Sequence, residues 1–440
     1  MPACKIRLLV RVAKGESLQG HMIKLLHFAD AHIDLARQGR RDAQTGLPLR
    51  VLDFLRSLDA IVDAAVAQKV DLVIFAGDAY RDRSPAPTYQ REWGKRMMRL
   101  SEAGIQTLLV VGNHDVSPAS GRAHTLQEFE TLQVPNIHVI SQPQLFKPED
   151  LNGLPVQVIG IPWLNRSGMA AAKDIVEEAG TDINALMERK LSEIIESFLN
   201  DLDGVLPAIL TSHVSVQGAS YGNERSVMLG RDLVLAGSLV RDQRLDYVAL
   251  GHIHKAQNLN EGGHHPVIYP GSIERVDFGE VDDRKTYIIA EVDRDSTSYK
   301  QVDLPGRRFI DRSLEITRGE DIMGQILGTL PSNTEMQDAI LRLSVAYPRD
   351  WEAMIDEPAI RQAAEAAFEF HFIRRPRTQV RIRLSAEDPI ANLSPQDLLA
   401  RYWGAVPPAD GDPTELNQLA ADIFQTVEIG RIPGEGEMHV

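Results

Sequence analysis

The sequence predicts an α/β layered fold, two packed β-sheets flanked by helices, followed by a smaller α+β domain and a helical C-terminal tail. Between residue 23 and about residue 215, apolar runs of strand length alternate with longer segments of helical periodicity, the order that builds layered α/β proteins. From about residue 240, strand-like runs follow one another at hairpin-like spacing, which argues for a second sheet packed on the first.

The apolar runs at 24–28, 72–76, 108–111, 208–211 and 246–250 are predicted strands. Residues 47–68 place Leu49, Leu52, Leu55, Leu58, Ile61, Val62 and Ala65 at helical spacing, so one stripe packs on a sheet. Residues 87–99 open with proline in a first helical turn and carry Trp93, Met97 and Met98, read as core. Further strands are expected at 267–269 and 286–290. From Pro305 the pattern restarts, with strands at 312–316, 340–346 and 379–384 and helices at 322–329 and 358–370. Helices at 395–403 and 413–427 flank the turn-rich stretch 407–412. The expected organisation is a disordered extension 1–21, a principal domain 22–300, an α+β domain 305–390, a helical segment 394–428 and a disordered tail 429–440.

Five polar clusters stand just past five of the predicted strands: Asp30-Ala31-His32, Gly77-Asp78, Gly112-Asn113-His114-Asp115, His213 and Gly251-His252-Ile253-His254. That placement brings them to one rim of a sheet, where open α/β sheets bind ligands. Singly each is a common turn or cap; together and in this order they spell a two-metal phosphoesterase site. Two divalent cations about 3.5–4 Å apart need a ligand that touches both, a task suited to a short carboxylate. Asp78 is the candidate bridge, with Asp30, His32 and His254 on one metal and Asn113, His213 and His252 on the other. His114 is left to face the scissile group, with Asp115 beside it to hold the imidazole's tautomer. Imidazole and oxygen ligands without thiolate favour manganese, iron, cobalt or zinc over a magnesium-only site.

These ordered motifs resemble the calcineurin-like metallophosphoesterase superfamily. Gly251-His252-Ile253-His254-Lys255 and the stretch from Tyr269-Pro270-Gly271-Ser272 to Phe278-Gly279-Glu280 are similar to the signature of SbcD-type nuclease subunits, the bacterial counterparts of Mre-type break-repair nucleases. The resemblance implies a Mn2+-dependent DNA nuclease, exonucleolytic on double strands and endonucleolytic on single strands. It also implies a homodimer through helices near 87–99, a capping role for the α+β domain, and a heterotetramer with an SbcC-type coiled-coil ATPase. Leu398, Leu399, Tyr402 and Trp403 fall in a segment similar to a family tail, and Leu416, Leu419, Ile423 and Phe424 form a second apolar stripe able to dock on that partner. No Gly-x-x-x-x-Gly-Lys-Ser/Thr loop is present, so ATP dependence would come from the partner. The chain departs from the family at Arg81, where many members have a second histidine. Arginine is neither acid nor base at pH 7, so Arg81 is read as a phosphate clamp. The Gly77-to-Arg83 stretch does not fit the Gly-Asp-x-x-Asp-Arg-Gly pattern of phosphoprotein phosphatases. A nucleotide phosphodiesterase and a non-catalytic scaffold are the alternatives to the nuclease.

The 440 residues carry 47 basic and 62 acidic side chains, a formal charge of −15. That opposes DNA binding, which rests on neutralising phosphates, unless cations and clustered arginines supply the charge locally. One cluster exists, Arg374, Arg375, Arg377, Arg381 and Arg383, and in the predicted strand 379–384 Arg381 and Arg383 alternate with apolar residues and so share a face, read as a solvated face or a DNA-backbone contact. The sole cysteine, Cys4, excludes an intrachain disulfide and fits a reducing, cytoplasmic setting, and no apolar run approaches the roughly 18 residues of a membrane span. Arg7 and Arg11 interrupt the first apolar stretch, a poor secretory signal, and Met22 is an alternative start.

Overall fold

The computed structural model describes residues 22–35, 40–117, 122–164, 183–222, 233–377, 394–405 and 413–428. They fall in two compact units, Met1–Asp311 with Asp338–Ile340, and Arg312–Gln337 with Leu341–Val440. The predicted extension 1–21 and tail 429–440 lie outside the described residues.

The strands of the first unit are β1 Ile23–Phe28, β2 Leu72–Phe75, β3 Gln106–Val110, β4 Ile137–Ile140, β5 Gln144–Phe146, β6 Gln157–Ile161, β7 Ala208–His213, β8 Ser215–Val216, β9 Val234–Leu235, β10 Tyr247–Gly251, β11 Gln257–Asn258, β12 Val267–Tyr269, β13 Thr286–Asp293 and β14 Ser296–Asp303. One six-stranded sheet runs β14-β13-β1-β2-β3-β4 and the other β11-β12-β10-β7-β6-β5. β1 to β4 are mutually parallel, and so are β6, β7, β10 and β12. Such strands are buried on both faces, which is why they read as continuous apolar runs.

The strands after residue 240 do not make the second sheet among themselves. β10 lies between β7 and β12, while β13 returns to the first sheet and pairs antiparallel with β1, Leu25 opposite Ala290. Spacing along the chain registers neighbours, and these pairings are set by distant register instead.

Between the sheets, Leu25, Ile74, Leu108 and Val110 meet Val158, Ile209, Tyr247 and Ala249 in one buried cluster. The helices Leu49–Gln68 and Pro87–Glu102 bring Phe54, Leu58, Trp93 and Met97 onto Phe28, Phe75 and Leu109. On the second sheet, Leu191, Ile195 and Leu199 of the helix Ile183–Asn200 cover Leu210 and Val248. Trp93 and Met97 are fully buried, whereas Met98 reaches solvent, so two members of the predicted core trio are core.

His27 of β1 ties the sheets together: its Nε2 donates to the Leu250 carbonyl at 3.2 Å and its Nδ1 lies 3.0 Å from the Tyr247 hydroxyl. Burial lowers its pKa to about 3, against the Leu250 hydrogen bond. The unfolded chain therefore binds the extra proton between pH 6.5 and about 3; this contribution is complete above pH 6.5 and is lost as pH falls. His27→Gln is expected to remove up to about 1.4 kcal/mol per pH unit from the acid slope of stability. Urea melts of both proteins across that range check it; identical slopes would exclude His27 as the source.

The second unit holds a three-stranded sheet in the order β15 Phe309–Glu315, β16 Ile340–Pro348, β17 Glu369–Arg377. Ile322–Thr329, Asn333–Met336 and Glu357–Ala363 are helices beside it, and Ile326, Leu343, Val345, Tyr347 and Ile360 belong to its core. The helix expected to reach residue 370 ends at Ala363. Its alanines favour helix, but Phe370 and Phe372 pack on the core as alternate residues of β17, and that burial overrides propensity. Arg374, Arg375 and Arg377 stand exposed on this strand; the predicted strand 379–384, with Arg381 and Arg383, lies outside the described residues. Arg374 is 3.8 Å from Glu352 and 3.6 Å from Glu357, and Arg377 pairs with Glu315.

Pro395–Ala405 and Pro413–Glu428 are helices that pack on each other. Leu398, Leu399, Trp403 and Leu416 are half-buried, and Tyr402, Leu419 and Ile423 are exposed; the Phe424 side chain is outside the described residues.

Candidate metal centre

Asp30 and His32 follow β1, Asp78 follows β2, Asn113 and His114 follow β3, His213 ends β7, and His252 and His254 follow β10. The first three clusters come from one sheet and the last two from the other. The rim at which they meet is shared by both sheets, which corrects the single-sheet expectation.

Donor atoms of Asp30, His32 and His254 lie within 4.8 Å of one another, as do those of Asp30, Asp78 and His213. Asp78 Oδ2 is 3.7 Å from His32 Nε2 and 3.5 Å from His213 Nε2. Asn113 Oδ1 lies 3.0 Å from His213 Nε2 and 3.1 Å from His252 Nδ1. All seven predicted ligands are therefore brought together around Asp78.

The far nitrogens fix the near ones. His32 Nδ1 faces the Tyr80 carbonyl at 3.3 Å, His213 Nδ1 the Ala76 carbonyl at 2.7 Å, and His254 Nδ1 the Glu280 carboxylate at 2.7 Å. Those oxygens only accept, so each Nδ1 donates and, in the neutral ring, Nε2 turns a lone pair inward. His32 Nε2 and His254 Nε2 are 3.1 Å apart, which sets lone pair against lone pair. Asp30 and Asp78 are buried among them, and burial pushes Asp30 up to about 6 despite the neighbouring histidines. A shared cation relieves this convergence of acceptors, and the donor set fits two divalent metals.

The backbone is bent to present these groups. Asp30, His32, Asp78 and His252 have φ of 52°, 38°, 64° and 99°, a region that non-glycine residues enter at a cost and that clusters at functional sites. A Cβ on Gly77 would strike the His213 ring, and one on Gly251 would strike the Ala76 carbonyl.

His114 lies on the lip, its ring edge-on to His32 with centroids 5.2 Å apart. Burial lowers its pKa, with Asp78 opposing and the Arg81 charge adding to the shift. Its Nδ1 donates to the Arg81 carbonyl at 2.9 Å and its Nε2 is 3.0 Å from Arg81 Nη1. Asp115 does not hold this ring, contrary to expectation. Its carboxylate accepts from the backbone N–H groups of Asp78, Ala79 and Gly112 and from the Thr125 hydroxyl, so it braces the turn that carries Asp78. Burial and Asp78 raise Asp115 to about 6, against those hydrogen bonds.

Four contributors, Trp163, Ser272, Glu280 and Lys285, escaped the sequence reading. Trp163, just past β6, lies over His252 with ring centroids 5.0 Å apart. Glu280 holds His254 and accepts from Lys285 at 2.7 Å, and Lys285 also donates to Ser272 Oγ at 2.8 Å. The signal for two of them was visible, since Ser272 and Glu280 belong to the stretch that carries the resemblance. Glu280→Gln is expected to weaken Mn2+ binding about 10–100-fold, as loss of a partner behind a metal-ligating histidine does. Titration calorimetry with Mn2+ reads this, and unchanged affinity would reduce Glu280 to a loop anchor.

The family model of calcineurin-like phosphoesterases matches residues 23–256, more than half of the chain and all five clusters. The chain belongs to this calcineurin-like phosphoesterase family. Among curated relatives of this phosphoesterase, the uncharacterized metallophosphoesterase YhaO of Bacillus subtilis is 27% identical over 271 residues, 61% of this chain and 57% of that protein. The SbcD subunit of the nuclease SbcCD of Escherichia coli K12 is 29% identical over 275 residues, 59% and 62% of the two chains. The DNA double-strand break repair protein Mre11 of Halobacterium salinarum is 34% identical over 111 residues, 25% and 26% of the two. The phosphoesterase thus spans about three-fifths of the first two relatives. Among its described residues no helix is long and apolar enough to cross a membrane.

Proposed function

We propose that the chain is a two-metal DNA nuclease, Mn2+-dependent, cutting double strands from their ends and single strands internally. The observation that carries the metal-dependent chemistry is the facing Nε2 atoms of His32 and His254, 3.1 Å apart, beside two buried carboxylates and His213. The DNA reading draws on the nuclease and break-repair names of the relatives. Asp78 would be shared, Asp30, His32 and His254 would hold one metal, and Asn113, His213 and His252 the other. When bound, the metals supply charge neutralisation at phosphorus and activation of the attacking water. The water oxygen gives up a proton and bonds to phosphorus, the P–O bond to the leaving group breaks, and the leaving oxygen takes up a proton. His114 faces this exchange from the lip. Asp115 keeps the Asp78 turn in place, and Tyr80, Ala76 and Glu280 hold three imidazoles in the donating orientation.

An SbcC-type coiled-coil ATPase is the proposed partner, docking on Leu398, Leu399, Tyr402, Trp403, Leu416, Leu419, Ile423 and Phe424. The exposure of Tyr402, Leu419 and Ile423 supports this. Homodimerisation through the nuclease domain would have to use surface residues such as Met98, because Trp93 and Met97 are spent in the core. One observation favours a nucleotide phosphodiesterase instead. The chain carries −15, and Arg374 and Arg377 already face carboxylates. Incubating linear and hairpin DNA with the purified chain in Mn2+, and again in EDTA, tests the proposal; intact DNA in both, with a coiled-coil ATPase supplied, would reject it.

A further inference from the structure

Arg81 grips His114 from two sides, and the two grips differ in kind. The backbone grip is rigid: the Arg81 carbonyl accepts from His114 Nδ1, while the Arg81 N–H donates to the fully buried Asp34, which also holds the Asp82 N–H at 3.3 Å. The side-chain grip is exposed, a guanidinium nitrogen 3.0 Å from His114 Nε2. With Nδ1 committed as donor, Nε2 in the neutral ring is an acceptor, and the guanidinium occupies it. His114 is thereby covered on the nitrogen that would face substrate.

A neutral imidazole nitrogen is a weak acceptor for an arginine. A phosphate ester offers charged oxygens, and its hydrogen bonds to guanidinium are shorter, about twice as strong and often paired. The His114 backbone N–H is bonded to Asp78 Oδ1 at 2.8 Å and its ring stands edge-on to His32 at 5.2 Å, so Arg81 borders the candidate metal ligands and a phosphate brought to them is offered to its guanidinium.

We propose that Arg81 is a substrate-displaced clasp: it covers His114 Nε2 in the free protein and transfers to a non-bridging oxygen of the bound phosphodiester, uncovering the imidazole. Binding the phosphate and baring His114 are then one event, so a ligand without that oxygen leaves His114 covered. This rests on the phosphodiesterase reading above and makes Arg81 a specificity residue for the phosphoryl group, whichever leaving group it carries.

The test uses the full chain with Mn2+ and DNA whose scissile linkage is a single Rp or Sp phosphorothioate, with bis(p-nitrophenyl) phosphate in parallel. Arg81→Ala is expected to lower kcat/KM about 10–100-fold on both substrates, the worth of one hydrogen bond to a charged group, and Arg81→Lys to recover part of it. Mn2+ affinity by calorimetry should stay at the wild-type value, which also shows that the variants fold. In the wild type one phosphorothioate isomer should be slowed more than metal contact alone slows it, and that excess should vanish in Arg81→Ala. Equal kcat/KM in wild type and Arg81→Ala, or the same isomer preference in both, overturns the clasp. Wild-type turnover of the small ester without DNA cleavage rejects the DNA reading while the ester kinetics still decide the clasp. No wild-type turnover of either substrate rejects the enzymatic reading and the clasp with it.

Discussion

Asp78→Asn is expected to lower metal-dependent phosphodiester hydrolysis about a thousandfold and to shrink the rise in Tm that Mn2+ gives the wild-type protein. One Asp78 oxygen faces His32 on one side and His213 on the other, at 3.7 and 3.5 Å, so this carboxylate addresses ligands of both proposed metals. Asparagine keeps the shape and can still accept the His114 N–H through Oδ1, but it brings a single oxygen and no charge. Two-metal stabilisation of phosphoryl charge is worth several kcal/mol, and losing about 4 kcal/mol at about 1.4 per decade gives the stated factor. A ligand that binds only the folded state raises stability with its concentration over Kd, so weaker Mn2+ binding means a smaller Tm rise. Burial raises the Asp78 pKa, yet His213's charge and hydrogen bond outweigh it and hold the carboxyl well below its usual range. The metal-free protein therefore leans on that pair, and each melt is compared with its own EDTA baseline. A variant with wild-type activity and a wild-type Mn2+ response would show that Asp78 is not shared.

The strand-end clusters were legible because a parallel strand buried on both faces leaves an unmistakable apolar run, and a turn residue must follow it. The partners of each cluster were not. Which sheet His213 and His252 belong to depends on β10 choosing β7 and β12, a register decided across the chain. Asp115 looked like a companion of His114 because they are adjacent; the fold turns its carboxylate the other way, onto the Asp78 turn. Glu280 sits 26 residues from His254 and meets it from a 3₁₀ turn, Phe278–Glu280, between β12 and β13, a return that no local pattern announces. Arg81 was visible as an oddity of its motif, but its grip on both nitrogens of His114 belongs to a loop conformation anchored by Asp34. Residue types were therefore readable from local chemistry, and their assignments to one another were not.

That distinction separates activity from metal binding most sharply at His114. Only its backbone N–H touches Asp78, while its ring stands edge-on to His32 and touches no carboxylate of the centre. His114→Ala should consequently keep Mn2+ affinity within about twofold while lowering turnover about 10²–10⁴-fold, the usual contribution of a positioned acid or base. The effect should be at the upper end for DNA, whose alkoxide leaving group needs a proton, and at the lower end for bis(p-nitrophenyl) phosphate, whose phenolate leaves without one. Parallel assays of linear DNA, hairpin DNA and the ester in Mn2+, with calorimetry on the same preparations, decide it. Equal losses on both substrates would mean that the ring stabilises phosphoryl charge and does not serve the leaving oxygen. Undiminished cleavage would remove His114 from the chemistry altogether and leave the metals and Arg81 to account for it.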